Sequence, residues 1–271
     1  MSVFTTPSPI TAILTTAGAR VRVAASDRPD TVVLVEPIDG TSKSDVKVAE
    51  NTKVDFAGGE LSIETKKAGG KSGSVAITIE VPTGSKLVLN TAWSEILAEG
   101  RFGDCELEVG SGRIQVDRVA AVRGNVAAGE VVVRHVSGTV NVEGGTAGLR
   151  IGEAEGAVKY VGATGKIWIG HARSSVDLAG SSGSFDIDRA DGDVIAKAAN
   201  CPIRVGRLSH GAAQLVNASG GIEVGIDGDT ASVDAESKKG SVRNSFAAGG
   251  EGGVKVYART RLDDIVVQRA A

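Results

Sequence analysis

Through the middle of the chain, three-residue units of the form apolar, variable, apolar recur at a nearly fixed interval. Ile114-Gln115-Val116, Val131-Val132-Val133, Leu149-Arg150-Ile151, Ile167-Trp168-Ile169, Phe185-Asp186-Ile187, Ile203-Arg204-Val205 and Ile222-Glu223-Val224 start 17, 18, 18, 18, 18 and 19 residues apart. A second series lies half a period away, at Val122, Val140, Val158, Val176, Val194, Ala213 and Val233, with Gly124, Val142, Tyr160, Leu178, Ala196, Leu215 and Ala235 two residues on. Alternation with period 2 turns one face of a strand inward. Turn-forming pairs separate the two series: Ser137-Gly138, Gly144-Gly145, Thr164-Gly165, Ser182-Gly183, Asp191-Gly192 and Ser219-Gly220.

Strands this short, spaced this regularly, predict an all-β fold, a single-chain parallel β-solenoid or β-helix of about 18 residues per turn. Equivalent residues then stack at the strand spacing of ~4.8 Å. One turn cannot bury its apolar face alone, and stacking makes the core continuous. The coil is read as right-handed, and the loop lengths fit flattened and triangular cross-sections alike. No helical periodicity is sustained.

The pattern extends back through Leu107-Glu108-Val109, Ile96 and Leu87-Val88-Leu89. Before Pro82 it becomes uneven. Strands are expected at Val21-Arg22-Val23, Val32–Val35, Val46-Lys47-Val48, Leu61-Ser62-Ile63 and Val75–Ile79, with loops at Asp39-Gly40 and Ala68-Gly69-Gly70. Residues 1–85 are therefore expected to form an irregular N-terminal β cap with antiparallel pairing. Residues 86–271 carry the repeats as one continuous unit, closed by strands at Val254–Tyr257 and Asp264–Val267.

The run Val81-Pro82-Thr83-Gly84-Ser85-Lys86-Leu87-Val88-Leu89, followed by Gly-x-hydrophobic-x-hydrophobic units, resembles a bacterial β-strand-repeat family labelled "putative adhesin", a domain of unknown function. Asp264–Ala270 resembles the closing segment of that family, although Leu262-Asp263-Asp264 stands where the family has Ser-Gly-Asp. The resemblance implies a β-helix-like fold and brings no catalytic residues. Bactofilin-like proteins are a more distant comparison, through the coil alone.

Composition agrees with short strands and tight turns. Val, Ile, Ala and Leu are frequent, Gly numbers 37, and aromatic residues make up 3% of the 271 residues. Net charge is −3 with both signs interspersed, which gives no basic block for nucleic acid. The N-terminus Met1–Pro7 lacks a basic segment followed by an apolar run, and no stretch reaches the ~18 apolar residues of a spanning helix. A cytoplasmic location is expected. Cys105 and Cys201, 96 residues apart, read as buried reduced thiols rather than a disulfide or metal pair.

Stacking turns the outward positions into columns. One runs Gln115, Val132, Arg150, Trp168, Asp186, Arg204, Glu223. Arg150, Trp168, Asp186, Arg204 and Glu223 form the candidate interface, because Trp and Arg are enriched at binding hot spots. The plainer reading is a solvated ladder of neighbour pairs, each worth roughly 0.2–1 kcal/mol. A second column holds a candidate basic strip of Arg118, His135, His171, Arg189 and Arg207, with Glu153 between the histidines. Two histidines two turns apart stand ~9.6 Å from each other, too far to share one tetrahedral metal ion.

The acids Asp186, Asp188, Asp191 and Asp193 fail the calcium-loop pattern, since Ala190 and Lys197 stand at ligand positions. Asp186 and Asp188 could imitate the acid pair of a carbohydrate-cleaving β-helix, but nothing completes a site. Gly162-Ala163-Thr164-Gly165-Lys166 lacks the spacer and the hydroxyl residue of a phosphate loop. The expected role is a non-enzymatic structural or protein-interaction scaffold with a protein partner or self-association, and with no cofactor. Adhesion or glycan binding is the alternative.

Overall fold

Branched apolar residues at every second position favour extended backbone with one buried face. The computed structural model, which describes residues 1–65, 73–247 and 253–270, is accordingly almost all β, with a core of parallel strands and one helix. It divides into two compact units, Met1–Arg134 and His135–Ala271.

The first unit contains β1 (Ser2–Thr5), β2 (Thr11–Thr16), β3 (Ala19–Ser26), β4 (Asp30–Pro37), α1 (Lys43–Asn51), β5 (Lys53–Ala57), β6 (Glu60–Glu64), β7 (Val75–Pro82) and β8 (Lys86–Val126). β9 (Glu130–Val136) carries the boundary. β8 is one long extended segment that winds back on itself. Gly103 N–H donates to Ser85 O, and the amides of Ala127 and Ala128 donate to Val109 O and Gly110 O. β2 and β3 lie inside the sheet: Leu14 stands between Ile63 and Leu89, and Val21 between Ile77 and Ile96, all in parallel register. Among the described residues, antiparallel pairing is found for β1 on β4, β4 on β7 and β5 on β6. The section before Pro82 thus mixes both kinds of pairing.

Val46-Lys47-Val48, expected as a strand, lies in α1. Ser42 caps this helix, its hydroxyl accepting from the Asp45 N–H at 3.3 Å. A pair of alternating valines is too short to impose a strand, and Ser-x-x-Asp is a helix-start pattern. Only Val48 of the helix is buried. Asp39-Gly40 lies in the bend before α1. Ala68-Gly69-Gly70 falls outside the described residues.

The second unit contains β10 (Val140–Gly144), β11 (Gly148–Ala154), β12 (Val158–Ala172), β13 (Val176–Ala190), β14 (Val194–Asn200), β15 (Ile203–Leu208), β16 (Ala212–Val216), β17 (Ile222–Ile226), β18 (Ala231–Ser237), β19 (Val242–Asn244), β20 (Val254–Thr260) and β21 (Ile265–Arg269). Val140, Val158, Val176 and Val194 pair in succession, as do Leu149, Ile167, Phe185 and Ile203, each step spanning 18 residues. The next step spans 19, to Ala213 and Ile222. β12 and β13 run straight through Thr164-Gly165 and Ser182-Gly183, where turns were expected. The chain bends there without leaving the ladder. Gly183 adopts φ +119°, and a Cβ on it would lie 1.9 Å from Gly165 O, so only glycine fits.

The order of layers then departs from the order of the sequence. Val233 does not stack on Ala213; Val256 lies between them, and Ile265 lies between Ile222 and Val242. The expected closing strands β20 and β21 are therefore interior. Burial explains the exchange. Val254, Val256, Ala258, Ile265 and Val267 are all at most 3% exposed, whereas Val242 in the outer layer is 40% exposed. The richer apolar segment takes the layer with two neighbours, and the poorer one takes the edge.

Tyr160 is the largest fully buried side chain. Its ring reaches a corner built of glycines, and its hydroxyl donates to Ala147 O at 3.2 Å. A Cβ on Gly162 would lie 2.2 Å from that hydroxyl, and one on Gly144 2.5 Å. Gly162→Ala should therefore overpack the corner and lower stability by about 1–3 kcal/mol, read from the urea midpoint. The layer order gives a second expectation. Ile265→Ala should cost about 2–5 kcal/mol as a buried truncation, and Val242→Ala well under half of that in the same titration.

Candidate functional site

Outward positions of the second unit place the predicted interface column together. Arg150 pairs with Trp168, Trp168 with Asp186, Asp186 with Arg204, and Arg204 with Glu223. The column continues to Val266 and Arg243 because β21 and β19 follow β17. The Arg150 guanidinium lies 4.9 Å from the Trp168 ring centroid, within cation–π range. Trp168 Nε1 donates to Asp188 at 3.2 Å. Arg204 donates to Asp186 at 2.7 Å and to Asp188 at 3.0 Å. One guanidinium thus holds both acids that could have imitated a catalytic pair. Glu223 accepts from the Gln268 amide at 3.3 Å.

A groove of about 420 Å³ opens on this face, bordered by Asp186, Arg204, Glu223, Asp264, Pro202 and Val266. Gly220 and Gly221 line its floor and adopt φ +110° and +72°. Left-handed backbone favours glycine, so the gap between the flanking side chains is fixed by conformation as much as by size. Beneath it the ladder is intact: Ile203 N–H donates to Gly221 O and Ile222 N–H to Asp264 O. Asp263 accepts from Gly220 N–H at 2.7 Å. Asp264 accepts from Ser241 N–H at 2.8 Å, and that bond holds its carboxyl below the ordinary carboxylate value.

The second column brings together His135, Glu153, His171, Arg189 and Arg207, with register from Glu153 to His171 and from His171 to Arg189 and Arg207. Arg118 lies in the first unit and is exposed. Carboxylates line the strip. His135 is 3.4 Å from both Glu153 and Glu155, His171 is 2.6 Å from Asp191, and Arg189 is 2.9 Å from Asp191. Arg207 is 3.7 Å from Asp227. Arg173 donates to Glu153 and keeps that carboxyl below its usual value. Burial alone would raise Asp191, but the hydrogen bonds from Arg189 and His171 outweigh it and hold the carboxyl well below the ordinary range. Among the described residues, no cluster of three or more His, Cys, Asp or Glu is placed to hold a metal ion.

The remaining motifs resolve simply. Gly162–Lys166 is part of β12, paired with 180–184, and is not a phosphate-cradling turn. Asp193 accepts from Ala212 N–H at 2.8 Å, apart from the acids that Arg204 binds. Cys105 and Cys201 are free and buried, and burial pushes their thiols up to about 12 and about 11. No helix is long and apolar enough to cross a membrane among the described residues. Nothing in the repeat singles out Trp93, 44% exposed in the first unit, which falls outside both inward series. Asp264 and Val266 join the groove only through the layer exchange, so spacing offers no signal for them. Asp188 was visible as the same-face neighbour of Asp186.

No protein-family model matches the chain, and no curated protein matches it. Among solved structures, it is similar to a "putative adhesin" from Bacteroides fragilis, at 11% identity and TM-score 0.37 over 98% of this chain and 95% of that one. A second "putative adhesin", from Parabacteroides merdae, has 10% identity and TM-score 0.40 over 100% and 95%. A "putative cell adhesion protein" from Clostridium sporogenes has 8% identity and TM-score 0.22 over 99% and 98%.

The state of Asp191 has a consequence for acid stability. Its folded value lies below the unfolded one, so its contribution is fully present above about pH 4–5. It is lost as the pH falls through the folded value. Asp191→Asn should be less stable than the wild type at pH 7. In urea melts repeated down the acid limb, that gap should shrink below about pH 4.

Proposed function

We propose that this chain is a non-enzymatic interaction scaffold, a parallel β-solenoid of about 18 residues per turn whose lateral side-chain columns dock a protein partner. The observation that carries this reading is the column Arg150, Trp168, Asp186, Arg204, Glu223, standing in register across five layers of the second unit. A half-buried tryptophan stacked with an arginine is the composition of an interface hot spot. The acids that chemistry would need are neutralised by Arg204 rather than set apart to act on a substrate. A non-catalytic role is therefore part of the proposal.

Two variants of the reading differ in where the protein works. One places the scaffold in the cytoplasm. Adhesion at a surface is favoured by the resemblance of Val81–Leu89 and Asp264–Ala270 to the β-strand-repeat family. Fractionation of native cells separates them: surface-exposed protein supports adhesion, and protein confined to the cytosol removes it.

The docking face is tested by chemical cross-linking in cells followed by affinity capture. Wild type should retain a defined partner set that Trp168→Ala combined with Arg150→Glu depletes by about tenfold, the scale of a hot-spot loss. Asp177→Asn, on the other strand series, should leave capture unchanged. Equal depletion by both variants would discard the face.

A further inference from the structure

The groove beside the column has a composition that selects its occupant. Arg204 is already bound by Asp186 and Asp188, so its charge is spent within the protein. Glu223 is exposed and receives one neutral amide, and Asp264 brings a further carboxylate to the same rim, with Asp263 bonded to the Gly220 N–H next to it. Arg243 stands 3.7 Å from Asp264 and offsets that one charge, but with Asp186, Glu223 and Asp264 against Arg204 and Arg243 the acids of the rim still outnumber its cations. The border between these acids is apolar, made by Pro202 and Val266. At about 420 Å³ the depression falls within the usual range of ligand pockets, roughly 300–1,000 Å³.

We propose that this groove seats an extended, lysine- or arginine-bearing segment of a partner protein. The aliphatic stem of the cationic side chain lies along Pro202 and Val266, and its charged head meets Glu223 and Asp264. Long basic side chains suit such a site because the stem is apolar while the head is charged. A charge-assisted bond to a carboxylate is about twice as strong as a neutral one. A sugar fits less well. Phe185, the aromatic residue of the lining, is 2% exposed with its side chain in the core, and Arg150 stacks against Trp168, so the groove has no open ring for a sugar face. This inference rests on the lateral-face reading and names the chemistry that the face recognises.

The test uses the full chain with labelled methyl groups and a capped heptapeptide, Gly-Lys-Gly-Arg-Gly-Lys-Gly, as probe. The Val266 methyl signals should shift saturably. Glu223→Gln with Asp264→Asn should weaken the apparent affinity on the order of tenfold, and Glu223→Lys alone should abolish the shift. Glu143→Gln with Asp177→Asn, the same change of charge on the other strand series, should leave it unchanged. Raising salt from 0.1 to 1 M should weaken binding in the wild type.

Three results would overturn the inference: a Val266 signal that stays still at millimolar peptide, equal weakening by the control pair, or equal binding of the peptide with glutamate in place of its cations. If a glucosamine hexamer moves Val266 and the peptide does not, the peptide inference fails while the lateral face stands. If the partner set depends on Trp168 and Arg150 but the groove binds nothing, the face again stands alone. Loss of both removes both.

Discussion

In-register parallel stacking is the constraint on which the rest of the structure depends. When a strand pairs with the strand 18 residues further on, each inward side chain must sit on its counterpart, and each outward one must tolerate its neighbours at ~4.8 Å. The inward consequence is a set of columns of Val, Ile, Leu and Ala, with glycines making room beside the aromatic rings of Tyr160 and Phe185. The outward consequence is that each charge needs an opposite one nearby, either in its own column or, as for Arg189 stacked on Arg207, from Asp191 and Asp227 beside it. Like charges stacked directly repel, and Asp186, Arg204 and Glu223 alternate in sign while Glu153 separates His135 from His171.

The same constraint explains why corners carry so much glycine. At a bend in a stacked ladder, the next layer's carbonyl occupies the space where a Cβ would stand. Gly124 over Leu107 and Gly183 over Gly165 are of this kind, each with less than 2 Å available. At Gly220 and Gly221 the corner has a different outcome. Gly220 is again crowded, a Cβ on it lying 2.4 Å from Pro202 N, but at Gly221 the nearest atom is Asp264 O at 3.6 Å, and this opening continues the groove whose charge the columns on either side supply. Structure and candidate site thus have one origin, since the repeat that builds the core also aligns the outward residues of the candidate site.

Much of this was legible in the sequence because the repeat is nearly exact where it matters. The series from Val140 to Ala213 and from Leu149 to Ile222 appear in the ladders as spaced, and the interface column follows from them directly. Two features were not legible, for physical reasons. Val46 and Val48 imitate a strand because two residues cannot distinguish period 2 from a helix, and the cap at Ser42 decided the outcome. The layer order at Val256 and Ile265 could not be read because spacing assumes that neighbours in sequence are neighbours in space. Relative burial, which favours the more apolar segment inside, overrode that assumption. Asp264 and Val266 entered the groove only through that exchange.

The outer strands β18 and β19 pair on one side with β20 and β21, and among the described residues nothing pairs with their other side. A free edge is an alternative route to association, by addition of strands from another copy. The central claim is that the lateral columns, not this edge, are the working surface. The most direct measurement is the mass of the native assembly by light scattering across a wide range of concentration. The account predicts the mass of one chain throughout. Mass that grows with concentration, and is halted by a proline placed in β18 at Val233, would contradict it and make the edge the site of association.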